Sequence, residues 1–147
     1  STYLHNRGCK VTGIDLDHFV TSAAQMIANI SDCKMNFKSF DIGSGFLPNS
    51  SFETIFLFSV LHHVKHMEKA AIAIAANCNR IIMECKLIED GSMPTKFGWK
   101  KTNKWNFTCL EDLIKYLEGI FPDFRFEQCY GKVDRDRYIL SFIKLQK

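Results

Sequence analysis

The sequence predicts an α/β fold: a mostly parallel sheet that closes with an antiparallel hairpin near the C-terminus. Apolar runs of strand length alternate with helix-length segments along residues 10–87, the rhythm of parallel strands joined by crossover helices. Two of those runs stop on an acid, Asp15 and Asp41. The last two runs are separated by a charged turn so short that only an antiparallel pair can be joined by it.

Residues 1–7 have helical spacing around Tyr3 and Leu4, and Gly8 supplies a helix stop. A strand is expected over 10–15 within the run C-K-V-T-G-I-D-L-D. An amphipathic helix over 21–30 follows, with Ala23, Ala24, Ile27 and Ile30 on or near one face. A second strand is expected over 35–42, then a loop over 43–51 rich in Gly, Ser, Asn and Pro. Residues 52–61, F-E-T-I-F-L-F-S-V-L, read as a central strand buried on both faces. An alanine-rich helix over 65–76 and a buried strand over 80–87 complete the alternation. Residues 90–108 form a polar, basic and aromatic connection long enough to act as a lid or substrate loop. Thr108 is the expected cap of a helix over 110–121, with Glu111 and Asp112 in its first turn, where the helix dipole favours acids. Strands over 124–130 and 138–145, joined by V-D-R-D-R, make the hairpin.

With 147 residues, 46% of them hydrophobic and 13 phenylalanines, the chain has the apolar mass for one domain spanning 1–147 and not the composition of a disordered segment. A formal charge of +3 calls for neither DNA nor a membrane surface. The six cysteines are scattered without a C-x-x-C pair, which suits buried reduced thiols and a cytoplasmic location. No apolar run is long enough to span a bilayer.

The acids that end two strands give the sequence its chemistry. Open parallel sheets bind ligands at the C-terminal edge of their strands, where a carboxylate can accept hydrogen bonds from the paired hydroxyls of a ribose. Taken alone, each acid is equally a solvated strand end or a helix cap. In order and spacing, G-I-D-L-D at 13–17, F-D-I at 40–42 and F-E-T-I-F-L-F-S-V-L-H-H-V at 52–64 resemble the class I S-adenosylmethionine-dependent methyltransferases. That resemblance implies a three-layer Rossmann-like sandwich with S-adenosylmethionine as cofactor. It assigns Asp15 to the ribose hydroxyls, Leu16 to the adenine face, and Asp41 with Ile42 to the adenine edge. It also lays the backbone at Phe58 and Ser59 along the methionine part. The family's first strand and glycine-rich turn should precede the helix that ends at Gly8, so the chain is expected to be N-terminally truncated. Asp41 to Gly45, D-I-G-S-G, imitates the glycine motif, but it leads into a strand rather than a helix and is read as a decoy.

His62, His63 and His66 suggest a metal cluster, yet no further ligand has matching spacing, and no metal is expected. His63 is instead a candidate general base. Glu84, near the end of an apolar strand, is a candidate to orient or deprotonate an amine or hydroxyl acceptor. Lys96, Trp99, Lys100, Lys101, Lys104 and Trp105 interleave charge and aromatics, as RNA readers do, or form a lid with solvated lysines. The expected reaction is methyl transfer to an N, O or C acceptor on a small molecule or RNA. The alternatives are a non-catalytic methyltransferase-like scaffold and a Rossmann-like nucleotide-binding oxidoreductase.

Overall fold

The computed structural model describes residues 1–45, 47, 51–58, 60–87, 107, 109–134 and 137–146. It divides into two compact units, Ser1–Ile42 and Gly43–Lys147.

The first unit contains α1 (Thr2–His5), β1 (Thr12–Asp15), α2 (His18–Ile30) and β2 (Asn36–Ser39). Gly8 ends the α1 segment at φ +83°, a backbone conformation that glycine adopts without penalty. β1 and β2 pair in parallel from Thr12↔Asn36 to Asp15↔Ser39. Gly13 lies under the Phe37 ring so closely that an added Cβ would fall 2.4 Å from it.

Helix α2 departs from the sequence expectation twice. It begins at His18 rather than residue 21, because the Asp17 side chain caps it by accepting from the Phe19 N–H at 2.8 Å. Its buried positions are Thr21 and Ala28, whereas Ile27 and Ile30 are 64% and 79% exposed. The rotation follows from Gln25. Its Nε2 donates to the Met35 carbonyl at 3.1 Å and its Oε1 accepts from the Phe37 N–H at 3.0 Å. One side-chain amide thus satisfies two backbone groups of β2 and turns that helix face toward the strand.

The expected second strand also shortens, to Asn36–Ser39. Its final residues pass into a 3-10 turn at Ile42–Ser44, so Asp41 follows a strand rather than ending one. Gly45, at φ +82°, continues the turn, and the next element is a strand, as expected for a decoy of the glycine motif.

The second unit contains β3 (Phe52–Phe58), α3 (Met67–Asn77), β4 (Cys78–Lys86), α4 (Leu110–Ile120), β5 (Phe124–Asp134) and β6 (Arg137–Lys144). The strand order is β3-β4-β6-β5. β3 and β4 are parallel, and β6 is antiparallel to both β4 and β5. Three strands therefore run one way, and β6 is inserted against them. β3 stops at Phe58, short of residue 61, because Leu61–His63 close into a 3-10 turn. The first hairpin strand is longer than expected and the second starts one residue early at the same length: Asp134 pairs with Arg137, with register shifts along β5 that let it follow the twist of β6. The N-cap of α4 is Cys109 rather than Thr108, and Thr108 lies outside the described residues. Residues 90–106 of the expected lid also lie outside them.

One face of this sheet carries Ile81, Met83, Leu140 and Phe142, all within 1% of full burial. α3 packs against β4 through a face of small residues, Ala70, Ala71 and Ala73, with Ile74. α4 packs against β5 and buries Leu113 and Leu117. Two side chains tie helices to strands. Glu118 accepts from the Phe126 N–H at 2.9 Å, and Lys144 Nζ donates to the Ala75 carbonyl in the last turn of α3 at 2.6 Å.

The described cysteines are free thiols. Cys78 and Cys85 are buried, as expected, whereas Cys9 is exposed. Burial pushes the Cys78 thiol up to about 11 and the Cys85 thiol up to about 12. Because a raised value reduces the reactive thiolate at a given pH, iodoacetamide at pH 8 should label Cys9 in the folded protein and spare Cys78 and Cys85. Mass mapping of native and urea-unfolded samples checks this. Equal native labelling of Cys85 and Cys9 would contradict the buried placement of β4.

Candidate functional site

In the first unit, the parallel register brings Asp15 to the C-terminal end of β1, beside Ser39. The chain then turns sharply, and the Asp17 N–H donates to Asp15 Oδ1 at 2.9 Å. This bond fixes the orientation of the carboxylate before any ligand arrives. Leu16 follows with 71% of its surface exposed, and its carbonyl accepts from Ser39 Oγ at 3.0 Å. An oriented carboxylate next to an uncovered aliphatic side chain suits a ribose and an adenine face. Asp41 and Ile42 complete the unit beyond β2. A separate groove of about 520 Å³ runs along α2 and β2, lined in part by Gln25, Asn29, Phe37 and Ser39, and excludes Asp15 and Asp41. It is an open polar trough rather than an enclosed pocket, so the chemistry of the strand ends is the better guide to function.

In the second unit, Phe58 ends β3 and pairs with Glu84 near the end of β4. Direct strand partners share a sheet face, so both side chains lie opposite the buried face of Met83 and Leu140. Phe58 is 53% exposed, and its ring sits 5.8 Å from that of Phe56. Glu84 is not the solvent-reaching strand terminus that the sequence also allowed. Its Oε1 accepts from Arg137 Nη1 at 2.5 Å, with the Glu84 side chain 18% exposed. Sequence reasoning passed over Arg137, whose role emerges only from the β4–β6 register, in which it pairs with Lys86. His63 is exposed in the turn after β3, where its N–H donates to the Val60 carbonyl at 3.0 Å. Ser59 and the basic aromatic run at Lys96–Trp105 lie outside the described residues. Among the described residues, no three His, Cys, Asp or Glu side chains gather as a metal site, and no helix is long and apolar enough to cross a membrane.

Residues 1–81 match a family model described as a methyltransferase domain, which is more than half of the 147-residue chain. The chain belongs to this family, the class I S-adenosylmethionine-dependent methyltransferases. Solved structures agree in fold. Magnesium protoporphyrin IX methyltransferase from Synechocystis PCC 6803, with bound S-adenosylmethionine, is 16% identical with a TM-score of 0.67, over 99% of this chain and 64% of that one. An rRNA methylase from Escherichia coli is 15% identical with a TM-score of 0.65, over 97% of this chain and 52% of that one. The 4+2 cyclase SpnF is 14% identical with a TM-score of 0.68, over 92% of this chain and 67% of that one. The chain thus spans about half to two thirds of the length of these proteins. No curated protein matches the chain closely. The cofactor of the family is S-adenosylmethionine.

Proposed function

We propose that the protein transfers a methyl group from S-adenosylmethionine to an N, O or C acceptor on a small molecule or an RNA. The observation that carries this reading is the oriented Asp15 carboxylate beside exposed Leu16, inside the segment that matches the methyltransferase domain. By resemblance, Asp15 holds the ribose hydroxyls, while Leu16, Asp41 and Ile42 enclose the adenine. The backbone at Phe58 and Ser59 lies along the methionine part in the same resemblance. When bound, S-adenosylmethionine supplies an electrophilic sulfonium methyl. The chain's own task is then alignment and exclusion of water, because a nucleophilic acceptor needs little proton transfer when it is well placed.

His63, exposed in the turn after β3, is the proposed general base for an acceptor that must lose a proton. Glu84 is better suited to positioning than to proton abstraction, because its carboxylate is already paired with a guanidinium. The whole of 1–147 acts as one methyltransferase-like domain in this reading, with 90–108 as its substrate loop. The free thiols of the described residues are consistent with a cytoplasmic setting. The fold likeness to a cyclase supports a second reading, a methyltransferase-like domain that does other work.

Calorimetry and thermal shift on the full-length protein separate the readings, with S-adenosylmethionine, S-adenosylhomocysteine and NAD as ligands. Binding of the first two and not the third is expected. Failure of both to bind removes the methyltransferase reading. Binding without turnover across amine, hydroxyl and RNA acceptors favours the scaffold.

A further inference from the structure

The turn after β1 is tied to β2 by a side chain that the G-I-D-L-D and F-D-I motifs leave out. Asp15 ends β1 opposite Ser39, and the ladder closes one step later, where the Phe40 N–H donates to the Asp15 carbonyl at 2.8 Å. Alternate residues of a strand direct their backbone groups to opposite sides, so a continuing strand would aim the Leu16 carbonyl away from β2. The sharp turn swings it back. Ser39 Oγ donates to that carbonyl at 3.0 Å. The other end of the same peptide unit, the Asp17 N–H, donates to Asp15 Oδ1 at 2.9 Å. One peptide plane, Leu16–Asp17, is therefore gripped at both ends, by a serine from β2 and by the carboxylate proposed to hold the ribose.

The two grips depend on each other. A peptide group is planar and turns as one body, so a rotation that takes the Leu16 carbonyl off Ser39 also takes the Asp17 N–H off Asp15. The Asp15 carboxylate then loses the bond that orients it. A hydroxyl has one proton to donate, and Ser39 spends it on the Leu16 carbonyl, so its effect on a ligand passes through the turn. We infer that Ser39 is a positioning residue for the cofactor: its hydroxyl locks the Leu16–Asp17 peptide and so holds the Asp15 carboxylate in the orientation that meets the ribose. This inference rests on the methyltransferase reading and on Asp15 as the ribose contact. It adds a source of pre-organisation, because a turn already ordered on folding does not have to be ordered on binding.

The test measures S-adenosylhomocysteine affinity by calorimetry on the full-length protein, with Ser39 varied in two backgrounds. Ser39→Ala should weaken binding about threefold to tenfold, the scale of one neutral hydrogen bond. Ser39→Thr, which keeps the hydroxyl and suits a strand, should stay within about twofold of the unaltered protein. In an Asp15→Ala background no carboxylate is left to orient, so adding Ser39→Ala should change affinity by less than about twofold. Thermal melts should place Ser39→Ala within about 2 °C of the unaltered protein, because the bond it removes is solvent-exposed. An equal loss in both backgrounds overturns the inference, since Ser39 then acts without Asp15, whether by touching the ligand or by loosening the fold. Unchanged affinity in Ser39→Ala also overturns it, with S-adenosylhomocysteine still bound and the methyltransferase reading intact. If the unaltered protein does not bind S-adenosylhomocysteine, the methyltransferase reading itself fails and takes the positioning role with it.

Discussion

Phe142→Ala is expected to remove about 3–5 kcal/mol of stability, the usual range for deleting a fully buried aromatic side chain. Phe142 is fully buried on β6, the strand inserted between β4 and β5. It pairs with Ile81 on one side and Phe126 on the other, and the Phe126 ring meets it edge-on at 5.8 Å and 70°. Its loss would therefore open a cavity at the centre of the sheet, beneath both flanking strands, and would also remove an aromatic pair worth about 0.5–1.5 kcal/mol beyond area burial. Domains of this size are held by only about 5–15 kcal/mol, so the variant should be partly unfolded near physiological temperature. Ile143→Ala is the matched control: the next residue on the same strand points to the other face, is 40% exposed, and should cost much less. Urea unfolding followed by far-ultraviolet circular dichroism measures both. Equal losses at the two positions would mean that the sheet faces are assigned the wrong way round.

The same alternation explains which parts of the fold were legible beforehand. The run at 81–86 lies in β4, where Ile81, Met83 and Cys85 are buried as expected, whereas the run at 52–58 forms β3 at the edge of the described sheet with Phe56 and Phe58 exposed, so the expected central strand buried on both faces is not found. The antiparallel hairpin was implied by a short turn and the family pattern, but the insertion of β6 between β4 and β5, which places β5 at the edge of the described sheet, was not. The other misreadings cluster where a single hydrogen bond decides. α2 starts early because of one carboxylate at Asp17, and it turns its larger apolar side chains outward because Gln25 bonds to β2. Helical periodicity shows that an apolar stripe exists but not which neighbour it meets. The site divides in the same way. Asp15 was visible as an acid ending an apolar run, a local signal. Arg137 was not, because its partner lies 53 residues away and only the antiparallel register brings the two together.

Asp15 is the residue on which cofactor affinity should depend most. Asp15→Ala is expected to weaken S-adenosylhomocysteine binding by about 1.5–3 kcal/mol, the scale of hydrogen bonds to a charged acceptor, or roughly tenfold to more than a hundredfold in Kd. The alanine variant is ambiguous by itself, because Asp15 Oδ1 also accepts from the Asp17 N–H. Removing that bond loosens the turn leading to Asp17, which in turn caps α2 through the Phe19 N–H. A fall in affinity could then reflect a displaced helix start rather than a missing ribose contact. Asp15→Asn separates these effects. Its side-chain oxygen can still accept from the Asp17 N–H, so the turn and the α2 cap should survive and the melting temperature should change little. What it loses is the negative charge and one acceptor, replaced by an amide that donates. Two ribose hydroxyls that both donate to a carboxylate would meet a donor in place of one acceptor. A folded Asp15→Asn protein with clearly weakened calorimetric binding identifies Asp15 as a ligand contact. Affinity that falls in Asp15→Ala but is unchanged in Asp15→Asn would show that this acid serves the turn, and that the ribose is held elsewhere.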